Sequence, residues 1–108
     1  MSRYRRWNIG PLLTADRVLV RAQQNEQIVI DQIWITNKDN SNYTVSLHHL
    51  PADDGAVVDN FCLIHEYTVN AKTYVVIDAK IYMEPGDELV VHASGSDKII
   101  VTAYGRAL

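Results

Sequence analysis

The chain has 108 residues, a formal net charge of −3, 47% hydrophobic residues and a single cysteine. That length suits one domain with one core, and one cysteine excludes both an internal disulfide framework and a cysteine-based zinc cluster. No apolar run approaches the length of a membrane span, and the arginine-bearing N-terminus lacks the apolar core of a signal peptide, so cytoplasmic synthesis is expected.

The charge is unevenly spread. Through Asn25 the chain carries Arg3, Arg5, Arg6, Arg17 and Arg21 against Asp16 alone, a balance of +4; the remaining five basic and twelve acidic side chains give −7. A basic segment on an acidic body suits an acidic partner surface or a neighbouring copy. The basic residues do not run as a stripe over the whole domain, so nucleic acid is not the expected partner.

Residues 1–11 read MSRYRRWNIGP. Aromatic residues alternate with arginines, and Gly10-Pro11 interrupts what precedes it. The segment is too short and broken for a stable lone helix. Arginines and aromatics together are typical of interface anchors, because both bury large areas and make directional contacts. The expectation is an extended N-terminal arm that docks on a partner through Arg3, Tyr4, Arg5, Arg6, Trp7 and Ile9. The alternatives are that Trp7 folds back onto its own domain, or that the terminus is solvated and frayed. Residues 12–108 would then be the folded body.

Leu12 to Ala22 reads as the first strand, followed by a polar turn at residues 23–26. Gln27 to Asn37 (QIVIDQIWITN) is the second, and its alternation changes phase between Ile30 and Ile33. A β-bulge near Asp31-Gln32, or a strand crossing between sheets, explains that change. Residues 38–42 are turn formers. Tyr43 to Leu50 is a third strand, with Tyr43, Val45 and Leu47 inward and Thr44, Ser46 and His48 outward. Residues 51–60 (PADDGAVVDN) form a longer connection expected to cross between sheets. Phe61 to Val69 is a short strand, or a helical turn capped by Asn60.

Thr73 to Ser94 (TYVVIDAKIYMEPGDELVVHAS) is the most regular stretch. Val75, Ile77, Ala79, Ile81 and Met83 repeat every second residue, which is strand periodicity. Pro85-Gly86-Asp87 stops the run, with glycine free to take a positive φ, and the alternation resumes at Leu89, Val91 and Ala93. The reading is a hairpin. After a turn at Gly95-Ser96-Asp97, Lys98 to Tyr104 is the last strand, and Gly105 with the RAL tail ends the chain. Seven or eight short strands without a long helix predict an all-β fold: an antiparallel β-sandwich, jelly-roll-like.

No catalytic constellation emerges. His48 and His49 are adjacent, so on a strand they face opposite sides, and no spacing links them to His65 or His92 as metal ligands. His65-Glu66 lacks the second histidine of a zinc-peptidase motif. Asp53-Asp54-Gly55 and Asp59 lack the full calcium-loop pattern and read as a solvated turn. Cys62 reads as a small core residue. Glu84, Asp87 and Glu88 read as exposed charge at a turn. No catalytic residue, cofactor or metal is therefore expected. Trp34, Tyr67, Tyr74 and Tyr82 leave a carbohydrate-binding module open, since aromatics on a sheet face stack on sugar rings; the rival reading is that they cover the core or a neighbouring subunit.

From about residue 28 to 105 the chain resembles small β-sandwich proteins encoded in the structural modules of tailed bacteriophages. The matching marks are Ile35-Thr36-Asn37 before a polar loop, the YTVSLHHLP strand, the Val69-Asn70-Ala71 step, PGDELVVHAS and the closing VTAYG. The resemblance implies a non-enzymatic virion part, made in the bacterial host cytoplasm. It would be a capsid cement or decoration protein across capsomer joints, or a neck, tail or baseplate accessory. Its partners would be the major capsid protein or other virion proteins. Because symmetric closure is the norm for homo-oligomers, the body is also expected to associate with its own copies, as a trimer or higher, and no membrane partner is expected. The pattern carries only scaffold positions, so no functional residue is transferred by it.

Overall fold

Among the described residues, alternating side chains build eight strands: β1 (Arg3–Leu12), β2 (Arg17–Arg21), β3 (Ile28–Asn37), β4 (Tyr43–Leu50), β5 (Cys62–Val69), β6 (Tyr74–Met83), β7 (Glu88–Ala93) and β8 (Ile99–Ala107). The computed structural model describes residues 3–12, 14–52, 61–95 and 98–108. The strands lie in two antiparallel sheets, ordered β1-β8-β3-β6 and β2-β7-β4-β5. Every connection except β4 to β5 passes from one sheet to the other, the winding of an eight-stranded jelly roll. The expected all-β sandwich is what the chain forms.

The core lies between the sheets. Ile28, Ile30, Ile33 and Ile35 of β3, with Val101 and Ala103 of β8, face Val45 and Leu47 of β4 and Leu89, Val91 and Ala93 of β7. Each fully buried Ile or Leu contributes about 1.5–3 kcal/mol from removal of apolar surface. The phase change in β3 is a bulge. Ile30 pairs with Gly105 and Gln32 with Tyr104, so Asp31 is an extra residue relative to β8. Ile30 and Ile33 thereby both face the core despite their odd spacing. At this bulge β8 approaches closely, and a Cβ on Gly105 would overlap the Val29 carbonyl oxygen.

Several expected elements are re-partnered. The stretch read as one strand from Leu12 to Ala22 is the end of β1, a bend through Ala15, and β2 in the opposite sheet. The stretch read as a hairpin is not one. β6 pairs with β3, whereas β7 pairs with β2 and β4, so the Pro85-Gly86 turn carries the chain across the sandwich. Alternation reports which face is buried and is silent on which strand lies alongside. Gly86 does take the expected positive φ, 87°.

The connection after Leu50 was expected to cross sheets, but it joins β4 to β5, neighbours in one sheet; residues 53–60, with the acidic turn and Asn60, lie outside the described residues. Of the stretch from Phe61 to Val69, Cys62–Val69 is strand β5 and Phe61 precedes it. The last strand continues through Gly105 to Ala107, because β8 is paired on both sides, with β1 and with β3.

Candidate functional site

The segment expected to be a free arm is, from Arg3 onward, a sheet strand. Arg3 to Ile9 pair residue for residue with Ala107 to Val101 of β8, and Leu12 pairs with Ile99. The boundary drawn at residue 12 therefore falls inside the sandwich. Alternation along β1 sorts the candidate partner-binding residues. Trp7 and Ile9 pack against the core, which is the fold-back alternative for Trp7. The Arg5 guanidinium lies 2.6 Å from a carboxylate oxygen of Glu26. Tyr4 is 78% exposed and Arg6 is exposed. Arg3 is placed at the strand's start, opposite Ala107. Of the five whose side chains are described, Tyr4 and Arg6 are the ones the fold offers to another molecule.

Both belong to the outer face of the β1-β8-β3-β6 sheet. Cross-strand pairs there form rows: Arg6, Tyr104, Gln32 and Asp78 in one, and Asn8, Thr102, Trp34 and Val76 in the next. Around the bulge an open groove of about 830 Å³ is lined by Tyr4, Tyr104, Asp31, Asp78, Lys80 and Arg106, among others. Its charges are largely matched. Lys80 Nζ donates to Asp31 Oδ1 at 2.7 Å, and Arg106 Nε is 3.6 Å from the other oxygen. Gln32 donates to Asp78 Oδ1 at 3.1 Å and accepts from the Trp34 indole at 3.2 Å. Asp78 itself is exposed.

The four aromatics singled out as a sugar platform do not share one surface. Trp34 stacks on Tyr74, ring centroids 5.3 Å apart and planes 14° from parallel. Tyr74 and Tyr82 stand 60% and 64% exposed on β6, whereas Tyr67 is on β5 of the other sheet.

Sequence reasoning missed two features. Asp87, read as an exposed turn charge, is only 7% accessible. Its carboxylate accepts from the backbone N–H groups of Ala52 and Glu84 at 3.1 and 3.0 Å, and its Oδ2 lies 2.9 Å from His49 Nε2. An aspartate in a turn has this capacity to satisfy nearby N–H groups, and that was the available signal. The second is the approach of His48 and His92 across β4 and β7, ring centroids 6.2 Å apart. His92 Nδ1 also lies 2.9 Å from Asp16 Oδ1, close but not aligned as a hydrogen bond, and His48 Nδ1 is buried with no hydrogen-bond partner among the described residues. His49 faces the other way, as adjacent strand positions require. Among the described residues no three His, Cys, Asp or Glu side chains converge as metal ligands. Cys62 is half-buried, its thiol directed at the Ile64 carbonyl, and is not part of the core cluster.

No protein-family model matches the chain, and no curated protein matches it in sequence. Solved structures do match. A chain of the T13 IBDV viral particle superposes with a TM-score of 0.59 at 8% identity, covering 99% of this chain and 31% of the viral one. A chain from the structure of the infectious bursal disease virus Gx strain gives 0.54 at 10% identity, covering 98% and 32%. The nucleoplasmin-like N-terminal domain of Drosophila FKBP39 gives 0.48 at 14% identity, covering 98% and 88%. This chain spans about a third of the length of the two viral chains, and at such identities the likeness to them is one of fold.

Proposed function

We propose that this protein is a non-enzymatic virion structural protein: a capsid cement or decoration protein that binds across capsomer joints. The observation that carries the reading is the superposition of nearly the whole chain on a chain of a viral particle. The strand-and-turn resemblance to tailed-phage structural proteins supports the same reading. So does the surface: Tyr4, Tyr74, Tyr82 and Tyr104 are exposed around the outer sheet face, and tyrosine is a residue type enriched where proteins meet. A place in the neck, tail or baseplate is the alternative within this reading.

The test is incorporation. Purified particles that contain this protein should carry it at many copies, and particles made without it should rebind added protein and gain resistance to heat or osmotic shock. Absence of the protein from purified particles, with no rebinding, overturns the reading. Labelling its position by electron microscopy separates capsid from neck, tail and baseplate.

A second reading, a carbohydrate-binding module, has one observation in its favour. The groove at the β3 bulge sets the Tyr4 and Tyr104 rings beside Asp78 and Gln32, aromatic surface next to groups that hydrogen-bond hydroxyls. A glycan array with tryptophan-fluorescence titration tests it: binding lost in Tyr104→Ala supports it, and no binding by the wild type removes it.

A further inference from the structure

The two sheets treat their outer strands differently. In the β2-β7-β4-β5 sheet the edges are blunted in ways that discourage further pairing. β2 is five residues long, and β5 has two register shifts against β4, with Glu66 at a positive φ of 49°. In the other sheet both edges are long: β1 and β6 are each ten residues.

Those two edges are complementary. The row Arg6, Tyr104, Gln32, Asp78 begins on β1 with an arginine that has no ion pair among the described residues and ends on β6 with an aspartate that has none either. The core-facing rows behave alike. Trp7, Ala103, Ile33 and Ile77 form one, and Ile9, Val101, Ile35 and Val75 the next. Their middle members are buried, whereas the four end members, Trp7 and Ile9 on β1 and Ile77 and Val75 on β6, are only partly buried. A sheet whose inner rows end half-covered on both sides has apolar surface left to bury at both edges.

We propose that copies of this protein associate edge to edge, β6 of one against β1 of the next, continuing the outer sheet antiparallel from subunit to subunit. β1 and β6 already run in opposite directions within one copy, so a sideways step of the whole molecule presents them correctly. With Arg6 set opposite Asp78, the register brings Trp7 to Ile77, Ile9 to Val75 and Gly10 to Tyr74, and puts Tyr4 beside Lys80. Opposite charges directly across a strand pair, and an aromatic ring over an edge glycine, are favourable cross-strand arrangements. Gly10-Pro11 ends the pairing, since proline supplies no N–H to a ladder. Such a head-to-tail contact closes into a ring when the rotation per copy divides a full turn, and sheet twist supplies a rotation at every step. This deepens the virion reading by naming the self-contact, and it stands or falls apart from it.

The test is a charge swap read by sedimentation velocity, with far-UV circular dichroism to show that each variant is folded. Wild-type protein is expected to self-associate. Arg6→Glu and Asp78→Arg should each weaken association about tenfold or more, because each sets like charges opposite one another. The double variant should recover it, which a contact elsewhere would not allow. A wild type that stays monomeric, single variants that assemble unchanged, or a double variant that fails to recover would each overturn the proposal. So would variants that lose particle binding while still self-associating, since that edge would then serve another virion protein. A monomeric wild type that still joins particles would remove this contact and leave the virion reading intact.

Discussion

Asp87 and Asn37 hold opposite ends of the sandwich by the same chemistry. Asn37, 1% exposed, donates to the carbonyls of Ser41 and Val69 and accepts from the Asp39 N–H. Asp87 gathers the N–H groups of Ala52 and Glu84 beside His49, while its own carbonyl accepts from the Ala22 N–H. It thus ties together the connections after β2, β4 and β6. Asp87→Ala should destabilise by about 3–5 kcal/mol, because the N–H donors and the imidazole lose a buried partner; Asp87→Asn keeps one acceptor oxygen and should lose less. Urea unfolding with an unchanged m-value is the measurement. Gly105→Ala sets a methyl group against the Val29 carbonyl, and a lowered melting temperature corresponding to about 1–3 kcal/mol is expected. The turn aspartate signals only a capacity to bond nearby N–H groups, and glycine near a chain's end signals nothing; which groups each meets is not legible from residue type. Both arise from what the fold brings alongside.

Among the elements, those whose burial alternates on one face were legible nearly to the residue. β4 has the expected bounds, Tyr43–Leu50, and the bulge in β3 was readable because two isoleucine pairs of opposite parity must both reach the core. Ser46 and His48 lie on the face opposite Val45 and Leu47, as expected, yet both are buried. Ser46 accepts from the Glu66 N–H where β5 bulges, a distortion in a neighbouring strand that no local pattern announces. β1 was not legible as a strand. Its outward positions carry Tyr4 and Arg6, its inward positions include Arg5, and the mixture looks like a tail until β8 is beside it. Deleting residues 1–11 removes all of β1 but Leu12 and uncovers one side of β8, so loss of the cooperative thermal transition is expected. A truncated chain that melts like the full one would show that β1 contributes little to the fold.

On the scale of the whole molecule, period-two patterning with turns at short intervals sufficed for an antiparallel sandwich, whereas strand order did not follow from it. The reason lies in the connections. A tight turn such as Pro85-Gly86 can fold a strand back beside its predecessor or send it to the facing sheet, and both bury the same side chains. Only the complete set of pairings makes the winding a jelly roll. That fold serves viral shells and lectins alike, so the choice between virion part and sugar binder rests on particle binding and glycan binding, not on architecture.

Arg3 lies directly across from Ala107, and the Leu108 N–H is bonded to the Gln27 carbonyl. Polypeptide entering the domain and polypeptide leaving it therefore share one corner, a few ångströms apart as opposed residues on paired strands must be. A reporter or affinity handle joined just before Arg3 or just after Leu108 would project from the same spot, and a linker of a few residues between those two points would suffice to circularise the domain.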